Sequence, residues 1–345
     1  MSKTVLITGA SGLLGSQVQK VFEIDGWKAT GTGLTRTSPP EIIKLDLLDA
    51  NNIERVLDGV KYAFSNKGFF LAADEALDLK LWYTVCSTVH VRNKFGNLPQ
   101  TGAANRFPDS CSANPSAAQA LNVNSSKDLA EATIARGIIL IYISTDYVFS
   151  GRKGEAPYHP SSRTDPPNVY GQTKLDGEKA VLSVAETKKV KNKIVVLRIP
   201  VLYGSANDPK DSAVNVLMSQ LWESQKIQPG QPKIKVDDWA LRYPTNTSDV
   251  GRVCRDLSTL YLDPKNMEGE LPSVLQFSSE DRMTKWEIVN VFADIMGLPI
   301  DGMEASVPEE ETGDGVKRPY DCHLDTGALK ELYIDIGTVD FRFWW

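Results

Sequence analysis

The stretch Val5-Leu6-Ile7-Thr8-Gly9-Ala10-Ser11-Gly12-Leu13-Leu14-Gly15 decides the fold of this chain. An apolar run too short for a helix meets glycines spaced G-x-x-G-x-x-G, and a helix-like pattern follows from Ser16. Each glycine has a physical task. Gly9 permits a sharp exit from the strand, Gly12 lets the backbone approach a pyrophosphate, and Gly15 allows close packing of helix on strand. The helix N-terminus then offers free N–H groups and a positive dipole end to phosphates. A strand before the glycines and a helix after them is the context in which this spacing marks a dinucleotide site. Ser11, Leu13 and Leu14, within the same turn, are candidate cofactor contacts. The implied architecture is α/β, a Rossmann-type doubly wound parallel sheet.

The end of the second strand selects the dinucleotide. Lys28–Leu34 reads as that strand, and an NAD site expects Asp or Glu near its end for the ribose 2′-OH. The next charged residue is Arg36, and a cation there suits a 2′-phosphate, so NADP is the expected cofactor. The plainer alternative is a solvated loop arginine. Asp46 and Leu47, after the third strand, are expected under the adenine.

Composition limits the remaining classes. With 345 residues, 41% of them apolar, the chain can bury an ample core and accommodate a second, smaller domain. A net charge of −6 argues against nucleic acid or an anionic membrane as the main partner. Cys86, Cys111, Cys254 and Cys322 are scattered and only three histidines are present, so no metal-ligand pattern exists. The cysteines read as reduced thiols, no secretory leader is expected before strand one, and no apolar run is of bilayer length. A cytoplasmic location is the resulting expectation.

A second site comes from two segments. Leu140–Phe149 is a buried-strand run that ends in Ser144 and Thr145. In Tyr170-Gly171-Gln172-Thr173-Lys174 the phenol and the ammonium lie at i and i+4 and share one helix face. A phenol of ordinary pKa near ~10 is a poor acid at neutral pH, and an adjacent ammonium favours its phenolate. Tyr170 then suits proton transfer to a carbonyl oxygen, with Thr145 hydrogen-bonding that oxygen and Lys174 as the activating cation. The alternative is an ordinary surface helix.

These motifs together resemble the extended short-chain dehydrogenase/reductase superfamily. The similarity is greatest to the branch of the dTDP-4-dehydrorhamnose reductases and the methionine adenosyltransferase β subunits. It rests on Ile143–Phe149, with Ser150 standing where an Asp is usual before Gly151, and on Val169–Glu178, Leu197–Gly204 and Arg242–Thr245. Asn122, in Leu121-Asn122-Val123, fits the family's asparagine beside the central strands. The resemblance covers residues 1–60 and 101–340. It implies NADP as cofactor, with contacts from Ala103, Ala104, Asn122, Tyr170, Lys174 and Arg198. Asp238-Trp239, Met283-Thr284-Lys285-Trp286-Glu287 and Val316-Lys317-Arg318-Pro319 look like the β-subunit version. That version implies a regulatory subunit in S-adenosylmethionine biosynthesis, partnered by a methionine adenosyltransferase catalytic subunit. The alternative is an NADPH-dependent reductase acting on a nucleotide sugar, because Thr145, Tyr170 and Lys174 are retained.

One region does not fit. The family needs a short buried strand leading into a Gly-Ala-Ala loop; Gly102-Ala103-Ala104 is present, but Tyr62–Gln100 precedes it without a family counterpart. A structureless insertion of that length is unusual inside a compact domain. Trp82–Val91 has strand propensity, yet Arg92–Gln100 separates it from the loop. Either a faulty exon boundary or a surface excursion accounts for it, and the first predicts a gap in the sheet and a dispensable segment. The cofactor domain is placed at residues 1–204, with 62–100 as the anomalous insert. The substrate domain and tail occupy 205–345, from which 242–257 returns to the cofactor domain. The ending Phe341-Arg342-Phe343-Trp344-Trp345 carries four aromatics, which fits either docking to a partner or folding back on the chain's own domain.

Overall fold

A computed structural model describes residues 3–63, 82–86, 107–262, 270–307 and 316–345. Its strands are β1 (Thr4–Thr8), β2 (Lys28–Gly33), β3 (Ile42–Lys44), β4 (Trp82–Cys86), β5 (Ile139–Thr145) and β6 (Ile194–Ile199). The shorter β7 (Leu202–Tyr203), β8 (Ile234–Asp237), β9 (Thr245–Asn246), β10 (Val274–Gln276) and β11 (Met303–Ser306) follow. Seven of them form one sheet in the order β10-β6-β5-β4-β1-β2-β3, every pairing parallel. The order turns outward in both directions from β1 and β4, as in a doubly wound Rossmann sheet.

Both faces of this sheet are covered, so β1, β5 and β6 are apolar at most positions rather than at alternate ones. The period-two alternation instead sorts residues between two cores. Val5, Ile7, Ile139, Ile141, Val195 and Leu197 face one layer, with Val18 and Phe22 of the Leu13–Ile24 helix and Val250, Val253 and Leu257 of the Thr247–Leu262 helix. Leu6, Leu140, Tyr142 and Val196 face the other, against Ile53, Leu129 and Val181. The Leu13–Ile24 and Thr247–Leu262 helices approach closely at Gly251, where an added Cβ would sit 3.0 Å from Val21.

The smaller half has its own core, built from Tyr203, Leu217, Leu221, Val236, Ile288, Phe292 and Met303. Its Lys285–Met296 helix opens with a capping box between Thr284 and Glu287 and ends on Gly297 in the left-handed region at φ 63°. The Met-Thr-Lys-Trp-Glu stretch is thus first a helix-start signal.

Two sequence expectations change. The helix after the glycine turn begins at Leu13, three residues before Ser16, because Gly12 itself is the N-cap. The expected gap in the sheet is absent: β4 lies between β1 and β5 and pairs in parallel with both. Tyr62 and Ala63 belong to the helix Ala50–Ala63. Gly102-Ala103-Ala104 lies outside the described residues.

Candidate functional site

The glycine turn has the conformation its sequence demands. Gly9 sits at φ 70°, a region that L side chains rarely adopt, and the Gly12 N–H donates to the Gly9 carbonyl at 2.9 Å. Among the described residues the buried Ser11 hydroxyl has no hydrogen-bond partner, and neither has that of Thr32 near the end of β2. Buried hydroxyls without a partner are costly unless something satisfies them. The turn, the helix N-terminus and these two hydroxyls fit a phosphate-bearing ligand.

A cleft of about 310 Å³ runs from Gly12, Leu13 and Leu14 past Thr145, Tyr170 and Lys174. Beyond them it reaches Asp211, Val214, Arg242, Lys285 and Arg318. Six residues of the sequence-derived site, Gly12, Leu13, Leu14, Thr145, Tyr170 and Lys174, therefore line one cavity. Arg36 is not among the lining residues, but its Nη1 donates at 3.3 Å to the carboxylate of Asp211, which is. Leu47 is buried in the core, whereas half-buried Asp46 accepts from the Leu48 N–H at 3.0 Å.

Tyr170 and Lys174 project from the Val169–Thr187 helix, whose N-cap Asn168 accepts from the Gly171 N–H at 2.9 Å. A side chain at position 171 would collide with the Tyr147 carbonyl, so glycine lets this helix start against the end of β5. The Tyr147 and Tyr170 rings meet edge to face at 5.8 Å. Burial pushes the Tyr170 phenol above its ordinary range, while its hydrogen bond with Thr145 acts in the opposite direction. Unaided, Tyr170 is therefore a protonated donor, which suits a group that gives a proton rather than takes one.

Lys174 is buried, and its Nζ donates to Tyr142 Oη and to the Ile143 carbonyl, both at 2.8 Å. Sequence reasoning missed Tyr142. It lies on the same sheet face as Leu140, and the period-two pattern gives no sign that its phenol meets the lysine. Asn122 sits in a π-helical turn, Ala120–Asn124, and donates from Nδ2 to Thr173 Oγ1 at 2.9 Å. It braces the helix beside Lys174 and does not line the cleft. Arg198 also stands apart from the lining. Its guanidinium is held by Glu178 at 2.7 and 2.9 Å and by the Pro160 carbonyl at 3.0 Å, an arrangement that locks β6 to the neighbouring helix. Ala103 and Ala104 fall outside the described residues. Ser150, at the position of the usual Asp, pairs with Tyr158 at 3.1 Å.

Asp146 is a further group that the sequence did not single out. It is buried, accepts from Thr145 Oγ1 at 2.9 Å, and burial lifts its carboxyl to about 6, against the opposing influences of Thr145 and Arg242. Because the folded-state value exceeds the ordinary 3.8, the acid contributes stability that is present below about pH 4 and lost as pH rises through 6. Asp146→Asn keeps the acceptor and removes the titration, so it should stabilise the protein on the order of 2–3 kcal/mol more at pH 8 than at pH 4.5. Urea unfolding of both proteins at the two pH values checks this, and parallel pH profiles would refute it.

The far wall of the cleft joins segments that are distant in sequence. Arg242 pairs by backbone with Met283 at 2.8 and 2.9 Å, and Thr284 Oγ1 donates to Asp238 at 2.8 Å. Leu241 N–H donates to the Tyr320 carbonyl at 2.7 Å, and Trp239 packs on Tyr320. Arg242 is buried, and among the described residues its Nη2 has no hydrogen-bond partner. Lys285 is held below its ordinary range by burial and by the nearby Arg242 and Arg318. This wall is cationic and suits an anion. Among the described residues there is no cluster of metal-ligating side chains and no helix long and apolar enough to cross a membrane.

The RmlD substrate-binding domain matches residues 100–340 of this chain. Methionine adenosyltransferase 2 subunit beta from Bos taurus is 33% identical over 335 residues, covering 96% of this chain and 83% of the bovine protein. The Danio rerio protein of the same name is 31% identical, covering 99% and 88%. Among solved structures, Bacillus anthracis dTDP-4-dehydrorhamnose reductase in complex with NADP superposes with a TM-score of 0.70 at 20% identity, covering 99% of this chain and 97% of that one. Thermus thermophilus UDP-glucose 4-epimerase complexed with NAD reaches 0.69 at 17% identity, covering 98% and 95%. The two structures share the fold.

Proposed function

This chain belongs to the family of the RmlD substrate-binding domain and the methionine adenosyltransferase 2 β subunits, and from that premise we propose that it is an NADP-binding regulatory β-type subunit. Its partner would be a methionine adenosyltransferase catalytic subunit, its pathway S-adenosylmethionine synthesis and its location the cytoplasm. The observation that carries the reading is the 33% identity over 96% of the chain. The far wall formed by Asp238–Arg242, Met283–Glu287 and Val316–Pro319 supports it, because the segments that resemble the β subunits meet there.

Cofactor binding falls to the Gly9–Gly15 turn, with the Ser11 hydroxyl and the Leu13 helix N-terminus toward the pyrophosphate and Arg36 toward the 2′-phosphate. A ligand that binds only the folded state stabilises it by about 2.7 kcal/mol at a hundredfold excess over its dissociation constant. NADP should therefore raise the melting temperature, and Gly12→Val should abolish that rise by filling the space the phosphates need. Co-purification with a methionine adenosyltransferase catalytic subunit tests the assignment directly. Failure to retain that subunit, by a protein that still shows the NADP shift, rejects the regulatory reading.

The second reading, a nucleotide-sugar reductase, is favoured by Arg242 Nη2, without a partner among the described residues, in a cleft that also holds Thr145 and Tyr170. A bound reduced nicotinamide supplies the hydride in such a reaction. Tyr170 gives its proton to the substrate's carbonyl oxygen, Thr145 hydrogen-bonds that oxygen, and the Lys174 ammonium favours the phenolate that forms. Arg242 and Lys285 would hold the phosphates of the substrate. Steady turnover of NADPH with dTDP-4-dehydrorhamnose selects this reading.

A further inference from the structure

Arg36 leaves β2 three residues after Gly33 and belongs to the cofactor half, whereas its partner Asp211 lies 175 residues further on, in the wall of the substrate half. Asp211 closes the short Pro209–Asp211 turn, and its side chain is 9% exposed against 35% for Arg36. The position of the acid is fixed from behind. Ser212 Oγ donates to the Leu202 carbonyl at 2.8 Å and accepts from the Val214 and Asn215 N–H groups at 3.1 Å. Asn215 Nδ2 reaches the Gly204 carbonyl at 2.8 Å. Of the two side chains the carboxylate is the more deeply buried, and the half-buried arginine reaches it from the other half of the chain. Asp211 also lines the same cleft as Gly12, Leu13 and Leu14.

We infer that Asp211 is a specificity-determining residue of the dinucleotide site: a fixed anion that competes with a ligand's 2′-phosphate for the Arg36 guanidinium. The inference rests on the reading of Arg36 as the 2′-phosphate contact. A dinucleotide with a free 2′-hydroxyl leaves the ion pair intact and meets no penalty. A 2′-phosphorylated one draws Arg36 away and places a dianion beside a buried carboxylate, and like charges at such range repel. Asp211 thus moderates a preference that Arg36 creates. It also ties that preference to the second half of the chain, whose cleft wall carries the acid.

Calorimetry with NADP and with NAD on four proteins tests this: the parent, Asp211→Asn, Arg36→Ala and the double variant. Asp211→Asn keeps the side-chain shape, and Asp211→Ser serves as a second, smaller replacement. Both should tighten NADP about three- to tenfold and leave NAD within about twofold, the range of a partly buried charge pair. The gain should vanish in the Arg36→Ala background, since the two residues act through one ion pair. An unchanged or weaker NADP affinity in both Asp211 variants, with normal melting of the free proteins, overturns the inference. A parent preference for NADP that survives Arg36→Ala instead overturns the reading of Arg36, and the inference falls with it.

Discussion

Truncation after Asp340 should destabilise the substrate half by about 3–5 kcal/mol, the usual cost of removing large buried aromatics. Phe341 is 2% exposed and packs edge to face on Tyr203 at 4.9 Å. Trp344 and Trp345 stand 5.3 and 6.0 Å from the same ring, and Trp345 meets Phe292 at 4.9 Å. Polar contacts seat this last turn: Phe341 N–H donates to Asp281 at 3.0 Å, and Asp340 accepts from Phe343 N–H at 2.7 Å. Of the two readings of the tail left open by its sequence, the fold-back onto the chain's own core describes Phe341, Trp344 and Trp345. Phe343 alone of the four aromatics points outward, at 86% exposure. Urea unfolding of the 340-residue form measures the loss, and Phe343→Ala, which removes no core contact, should melt like the parent. A truncated protein that unfolds at the parent midpoint would show that these aromatic contacts contribute little.

What could be read from the sequence was what depends on neighbours along the chain. The glycine turn is local, because Gly9 needs its positive φ and Gly12 caps the helix that follows. Tyr170 and Lys174 were legible together because a helix fixes the i, i+4 relation. Asp146 was not, although it adjoins Thr145, because its character comes from burial beneath Arg242. The Arg36–Asp211 pair was hidden for a simpler reason, since no periodicity connects residues 175 apart. Arg198 was legible as part of a motif, but its pairing with buried Glu178 was not read from the sequence. A buried arginine must have such a partner, and a glutamate on the preceding helix was the available signal.

Deleting Tyr62–Gln100 should leave no folded protein, the reverse of what the unmatched sequence suggests. The segment contains β4, which pairs Thr4 to Trp82 through Thr8 to Cys86 on one side and Tyr83 to Ile139 through Cys86 to Tyr142 on the other. Neighbouring strands lie about 4.8 Å apart, so its removal leaves β1 and β5 roughly twice that distance from each other with both ladders open. Closing the gap requires half of the sheet to move across the two core layers that meet it. Backbone groups left unpaired in a dry interior cost about 1–3 kcal/mol each, and a few of them exceed the whole stability of an ordinary domain. Thr84→Pro is the sharper probe. Thr84 stands opposite Leu6 on β1 and Leu140 on β5, a central position where proline removes a ladder donor, and a loss of about 3 kcal/mol or more is expected. Soluble yield and a cooperative melt report both outcomes. A deletion protein that melts cooperatively and still gains stability from NADP would mean that β1 and β5 can close without β4. The Gly9–Gly15 turn hangs from the end of β1, so the strand that holds β1 in register also holds that turn.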